Sequence, residues 1–126
     1  MDAANAKAPQ NFKDLHVWQR GMALAKVIYE ITRTFPSDER FGLVAQMRRT
    51  AVSIPSNVAE GQARHTTGEF VQFISHAEGS LAELETQLRL SLELKFCPQS
   101  EAMSALEVME ELRRMLNALR RKLTAR

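Results

Sequence analysis

Apolar residues recur every three to four positions in four separate stretches, and a chain patterned this way must fold as packed amphipathic helices. Nowhere do apolar and polar residues alternate over a run long enough for a half-buried strand. In the first stretch the pattern makes two adjacent stripes: Leu15, Trp18, Met22, Ala25 and Tyr29 beside Val17, Leu24, Ile28, Ile31 and Phe35. It predicts a helix over residues 14–34. Pro36 ends it by pushing the preceding residue out of the helical region, and Ser37 and Asp38 supply turn chemistry.

The second stretch runs Phe41, Leu43, Met47, Ala51, Ile54 and Val58, and Gly61 reads as its left-handed stop. Pro55 lacks an amide proton and crowds the Ala51 carbonyl, so this helix is expected to kink, or to split in two, across residues 53–56. Side chains or water should take up the freed groups. Thr66 and Glu69 have capping-box spacing ahead of the longest pattern, Phe70, Ile74, Ala77, Leu81, Leu84, Leu88 and Leu92, which predicts a helix over 67–94. Ala77, Gly79, Ser80 and Ala82 on that helix read as points of close helix packing. Pro98 marks a connection and Ser100 a cap before the fourth stripe, Leu106, Met109, Leu112, Leu116, Leu119 and Leu123. Short linkers join helices two to four, so neighbours run antiparallel. The expected fold is all-α, an antiparallel up-and-down four-helix bundle with helix two kinked at Pro55.

At 126 residues with 44% hydrophobic side chains the chain has the length of one domain and enough apolar material for one core. Residues 1–12 are small and polar with no period and read as a flexible N-terminal arm, leaving 13–126 as the bundle. The single cysteine, Cys97, allows no intramolecular disulfide, and no secretory signal pattern is visible. No stretch approaches the roughly 18 to 20 apolar residues of a membrane helix. A cytoplasmic protein is expected. Seventeen basic and 15 acidic side chains give a formal charge of +2, so electrostatic function depends on where the cations sit.

Several motifs carry a family resemblance. They are F-K-D-L with V-W-Q at residues 12–19, F-P at 35–36, E-R-F-G-L at 39–43, Q-M-R-R at 46–49, A-V-S-I-P-S-N-V-A-E-G at 51–61, and G-S-L with E-L-E-T-Q-L at 79–88. Over residues 12–94 the chain closely resembles the bacterial four-helix-bundle proteins known as 23S rRNA intervening-sequence proteins, a group similar to the accessory proteins of diversity-generating retroelements. The fourth helix resembles the family in pattern alone. The resemblance implies a homopentameric ring of four-helix bundles with a basic surface for nucleic acid, and no catalytic activity.

The residues themselves also point to assembly. The first helix carries a wider apolar face than one core needs, and a subunit interface through Trp18 or Tyr29 would bury the surplus. The alternative is that both stripes face one core with Trp18 half covered by the N-terminal arm. Arg48, Arg49 and Arg64 lie along a polar row of the second helix with Gln46, Ser53, Ser56, Asn57 and Glu60. They are candidates for phosphate contact. The competing structural reading has Glu60 paired with Arg64, Arg49 paired across helices, and Ser53, Ser56 and Asn57 serving the backbone around Pro55. The last helix adds Arg113, Arg114, Arg120, Arg121, Lys122 and Arg126, with Glu107, Glu110 and Glu111 just upstream. These cations form either a phosphate-binding patch or a solvated helix end that complements the dipole. No aromatic residue is interleaved among them, which disfavours base stacking.

Enzyme chemistry finds no support in the pattern. A di-iron site in a bundle needs Glu-x-x-His pairs, and the residues three before His16, His65 and His76 are Lys13, Gln62 and Phe73. No phosphate-cradling glycine loop follows a strand, and no metal, cofactor or small-molecule substrate is expected. Two functions remain open: a ring that binds structured or ribosomal RNA, or DNA, through these arginines, and a protein-binding scaffold that presents the same surfaces to a polypeptide. Arginine serves phosphate and carboxylate equally well.

Overall fold

A computed structural model of the chain describes residues 11–125. Four helices dominate: α1 (His16–Thr32), α2 (Leu43–Gln62), α3 (Thr67–Glu93) and α4 (Gln99–Thr124), with short 3-10 turns at Phe12–Asp14 and Ser37–Glu39. Among the described residues there is no strand. Each helix packs on two neighbours, α1 on α2, α2 on α3, α3 on α4 and α4 back on α1, so the four stand at the corners of a square. The expected antiparallel bundle is what forms. The proposed N-terminal arm lies outside the described residues up to residue 10.

Within the square, the 3.6-residue period selects one face of each helix for the core. Leu24, Ile28, Met47, Ile54, Ile74, Leu84, Leu88, Met109, Leu112 and Leu116 are fully enclosed. Of the two stripes on α1, the one through Val17, Leu24, Ile28, Ile31 and Phe35 is this core face. Thr66 caps α3 as expected, its Oγ1 accepting the Glu69 amide at 3.1 Å.

Several local expectations give way to packing. α2 runs unbroken through Pro55, so the split into two helices does not occur. The proline ring is buried against α1, where a Cβ on Gly21 would lie 3.4 Å from it, so the glycine makes room for the ring. Ser53 Oγ donates to the Thr50 carbonyl (2.6 Å) and Asn57 Nδ2 to the Ser53 carbonyl (2.8 Å). Neither reaches the Ala51 carbonyl that Pro55 leaves without a donor. Gly61 is helical and not a left-handed stop; a Cβ there would sit 2.7 Å from Phe73 Cβ and 3.0 Å from a Phe70 ring carbon, so close approach of α2 and α3 demands it.

The left-handed position is instead Lys95, with φ 63°, just beyond α3. Phe96 N–H donates to the Ser91 carbonyl (2.9 Å) and Lys95 N–H to the Leu92 carbonyl (3.0 Å), which closes the helix end as a Schellman motif. The Phe96 ring then packs on Phe35, 5.5 Å between centroids. Ser100 is no cap, since α4 already begins at Gln99 after Pro98. Gly79 faces open space with nothing within 4 Å, so it is not a packing point, and Ala82 is also exposed. Phe41 stands 88% exposed before α2 begins, outside the apolar stripe it was expected to start.

Candidate functional site

The stripe through Leu15, Trp18, Met22, Ala25 and Tyr29 is only partly enclosed, with Ala25 in the core. Leu15 and Trp18 are half-buried, while Met22 (48%) and Tyr29 (41%) are exposed, with Val52 of α2 exposed as well. Phe12 packs edge-on against Trp18 with ring centroids 5.3 Å apart, so the segment before α1 covers part of the indole, as the one-core alternative expected. It leaves Met22 and Tyr29 bare. The surplus apolar surface on α1 is therefore a property of the folded chain.

Arg48 and Arg49 on α2 and Arg64 just beyond it, expected to serve one surface, take separate roles. Arg48 is half-buried and turned to α1: Nε donates to Thr32 Oγ1 (2.9 Å), an η-nitrogen donates to the Tyr29 carbonyl (3.3 Å), and the guanidinium lies 4.5 Å from the Tyr29 ring centroid. It ties α2 to α1. Arg49 is exposed and, among the described residues, has no acidic partner on α2 or another helix. Arg64 stacks 4.7 Å over Phe73 of α3 in place of the expected pairing with Glu60. A small cavity of about 270 Å³ there is lined by Glu60, Ala63, Arg64, His65 and Glu69.

The C-terminal cations are largely neutralised. Arg113 donates through Nε to Glu110 (3.0 Å) and through an η-nitrogen to the other oxygen of the same carboxylate, and Arg114 lies 3.6 Å from it. The Arg113 hydrogen bond holds the Glu110 carboxyl below its ordinary range. Arg120 reaches across to Glu78 of α3 (2.9 Å) and also donates to Asn117 (2.9 Å). Arg121 and Lys122 remain exposed without an ion pair, and Arg126 lies outside the described residues. Of the two readings left open for these cations, a phosphate-binding patch or a solvated helix end, Glu110 takes up Arg113 and Arg114, and among the described residues Arg121 and Lys122 stay without an ion pair at the C-terminal end of α4.

Two basic residues outside the expected set belong beside Arg48. Arg33 and Arg40 border, with it, a cavity of about 310 Å³ where α1 ends and α2 begins. No spacing rule could have joined them, because one closes α1, one lies in the connection and one sits on α2, and Asp38 and Glu39 between them hide the cluster from a charge count. Among the described residues, no group of three or more His, Cys, Asp or Glu side chains could hold a metal ion. Cys97 is buried, and burial followed by the charge of Glu101 pushes its thiol above the ordinary value, the reverse of an activated nucleophile. No helix among the described residues is long and apolar enough to cross a membrane.

The fold has a solved counterpart. A protein of unknown function from the S23 ribosomal protein family of Bacteroides thetaiotaomicron superposes with a TM-score of 0.77 at 18% identity, over 83% of this chain and 95% of that one. No curated protein matches. The model of the 23S rRNA-intervening sequence protein family matches residues 13–118, reaching well into α4, where pattern alone had pointed to it. The chain belongs to the 23S rRNA-intervening sequence protein family.

Proposed function

We propose that this chain is a non-catalytic bundle that self-assembles, as a ring of five, and associates with nucleic acid through arginines left without carboxylate partners. The observation that carries the nucleic-acid half is the exposure of Arg49, Arg64, Arg121 and Lys122, none of them in an ion pair among the described residues. Unneutralised guanidinium groups on a protein of the 23S rRNA-intervening sequence family suit phosphate contact. The assembly half rests on the bare apolar side chains Met22, Tyr29 and Val52 beside Trp18. Repeating each free arginine around a ring would multiply a weak contact into a binding surface. A cytoplasmic setting, and kinship with the accessory proteins of diversity-generating retroelements, fit this reading.

A scaffold for another polypeptide is the second reading, favoured by the ion pairs that neutralise Arg113, Arg114 and Arg120. Binding of a structured RNA and of an unrelated DNA duplex, followed by fluorescence anisotropy, separates the two. The combined variant Arg49→Gln and Arg121→Gln should weaken both nucleic acids alike without changing the assembly. Unchanged affinity in that variant would remove these arginines from the interface.

A further inference from the structure

The cavity between the end of α1 and the start of α2 brings three arginines together with no acid in its described lining. We propose that Arg33, Arg40 and Arg48 close on a phosphate group there, over a floor of Thr32, Phe35 and Val44, and that this phosphate belongs to a nucleic-acid backbone. The second clause rests on the function proposed above, and the first does not. By the antiparallel topology this cavity lies at the opposite end of the bundle from Arg64 and Arg121, so it is a separate contact.

Arg48 is already fixed. Its Nε and one η-nitrogen are bound to the neutral acceptors Thr32 Oγ1 and the Tyr29 carbonyl, and its plane is held near the Tyr29 ring. The side chain has therefore lost its rotamer freedom before any ligand arrives, its charge is uncancelled, and its other η-nitrogen has no partner. Arg33 and Arg40 are exposed and enter no ion pair among the described residues. Two acids, Asp38 and Glu39, lie in the same connection; neither lines the cavity or enters an ion pair among the described residues, and Glu39 Oε1 accepts the Leu43 amide at 3.2 Å. A guanidinium presents parallel donors that match the oxygens of a phosphate.

The C-terminal end of α1 would ordinarily repel an anion through its bare carbonyls. Here most of those carbonyls have donors: Tyr29 accepts from an η-nitrogen of Arg48 (3.3 Å), Glu30 from the Arg33 amide (3.3 Å) and Thr32 from the Phe35 amide (3.2 Å). Val44, in the first turn of α2, lines the same cavity, and the Glu39 carboxylate already takes the Leu43 amide at that helix end, so the arginines and not the helix pole supply the positive charge. Phe35 and Val44 are buried, so the floor is apolar and screens the arginine charges less than water would. The volume of about 310 Å³ is ample for a phosphate with its flanking atoms.

NMR titration of the whole chain with inorganic phosphate against chloride at equal ionic strength tests the site. Saturable shifts at the amides of Arg33, Ser37, Arg40 and Val44, abolished in the double variant Arg33→Gln and Arg40→Gln, are expected. Shifts that never saturate, or that gather at Arg121 and Lys122, would overturn it. The source of the phosphate is read by anisotropy with a short RNA duplex, with Arg89→Gln as the surface-charge control. The double variant should lose about tenfold in affinity or more. Its salt slope should fall by roughly 0.7 to 0.9 for each phosphate contact removed. RNA affinity unchanged in the double variant would overturn the nucleic-acid assignment and leave a site for free phosphate. If the unmodified chain binds no RNA at all, the function proposed above fails together with that assignment, while the phosphate titration still decides the cavity.

Discussion

At the scale of single residues, two glycines of the same helical character have opposite reasons to be there. Gly61 is pinned by Phe73 and Phe70, whereas a Cβ on Gly79 would meet nothing within 4 Å. Alanine at Gly79 should raise stability by about 0.5 to 1 kcal/mol, the ordinary helix gain. Alanine at Gly61 gains the same propensity but must force apart α2 and α3, and overpacking costs about 1 to 3 kcal/mol, so a net loss is expected. Urea denaturation of the two variants checks both signs. The arginines divide in the same way: Arg48→Gln should cost roughly 1 to 2 kcal/mol through its two hydrogen bonds and its ring contact, and Arg121→Gln close to nothing. Sequence spacing gave Arg48 and Arg49 equal standing, because neighbours on a helix point about 100° apart and only the packed partner decides which is tied down. Arg33 and Arg40 stayed illegible for the related reason that a cavity formed by the end of one helix and the start of the next has no periodic signature.

Among the helices, the period and the approximate ends could be read early, and the chemistry that closes each end could not. The core faces of α1 to α4 follow from the three-and-four spacing of Leu24, Met47, Leu84 and Leu112, and burial agrees with it. The end of α3 falls within one residue of its expected place, but how it closes was not legible, because its left-handed residue is a lysine, while glycine is the usual signal. Lys95 at φ 63° carries a conformational cost that glycine would not, so Lys95→Gly should stabilise the chain by about 1 kcal/mol, measured by the same denaturation. A loss of stability would mean that the lysine side chain itself holds the α3–α4 connection. At Pro55 the missing donor suggested a kink or a split, and of these the split does not occur, because the ring packs into the space that Gly21 opens on α1 and tertiary packing keeps α2 continuous.

For the whole molecule, the square of helices buries one stripe of α1 and leaves Met22 and Tyr29 of the other bare, and that surplus is the basis of the assembly we propose. Met22→Glu together with Tyr29→Glu should leave the circular dichroism of a folded bundle but give a 14.3 kDa monomer by sedimentation. An unchanged mass would place the assembly face elsewhere. The central claim is that unpaired arginines contact a phosphate backbone, and the salt dependence of RNA affinity for the unmodified protein tests it most directly. On logarithmic axes affinity should fall linearly as salt rises from about 50 to 200 mM, with a slope of roughly 0.7 to 0.9 per phosphate contact, and equally for unrelated sequences. A flat salt dependence, or no RNA or DNA binding even at about 50 mM salt, would contradict the account and leave the protein-binding scaffold in its place.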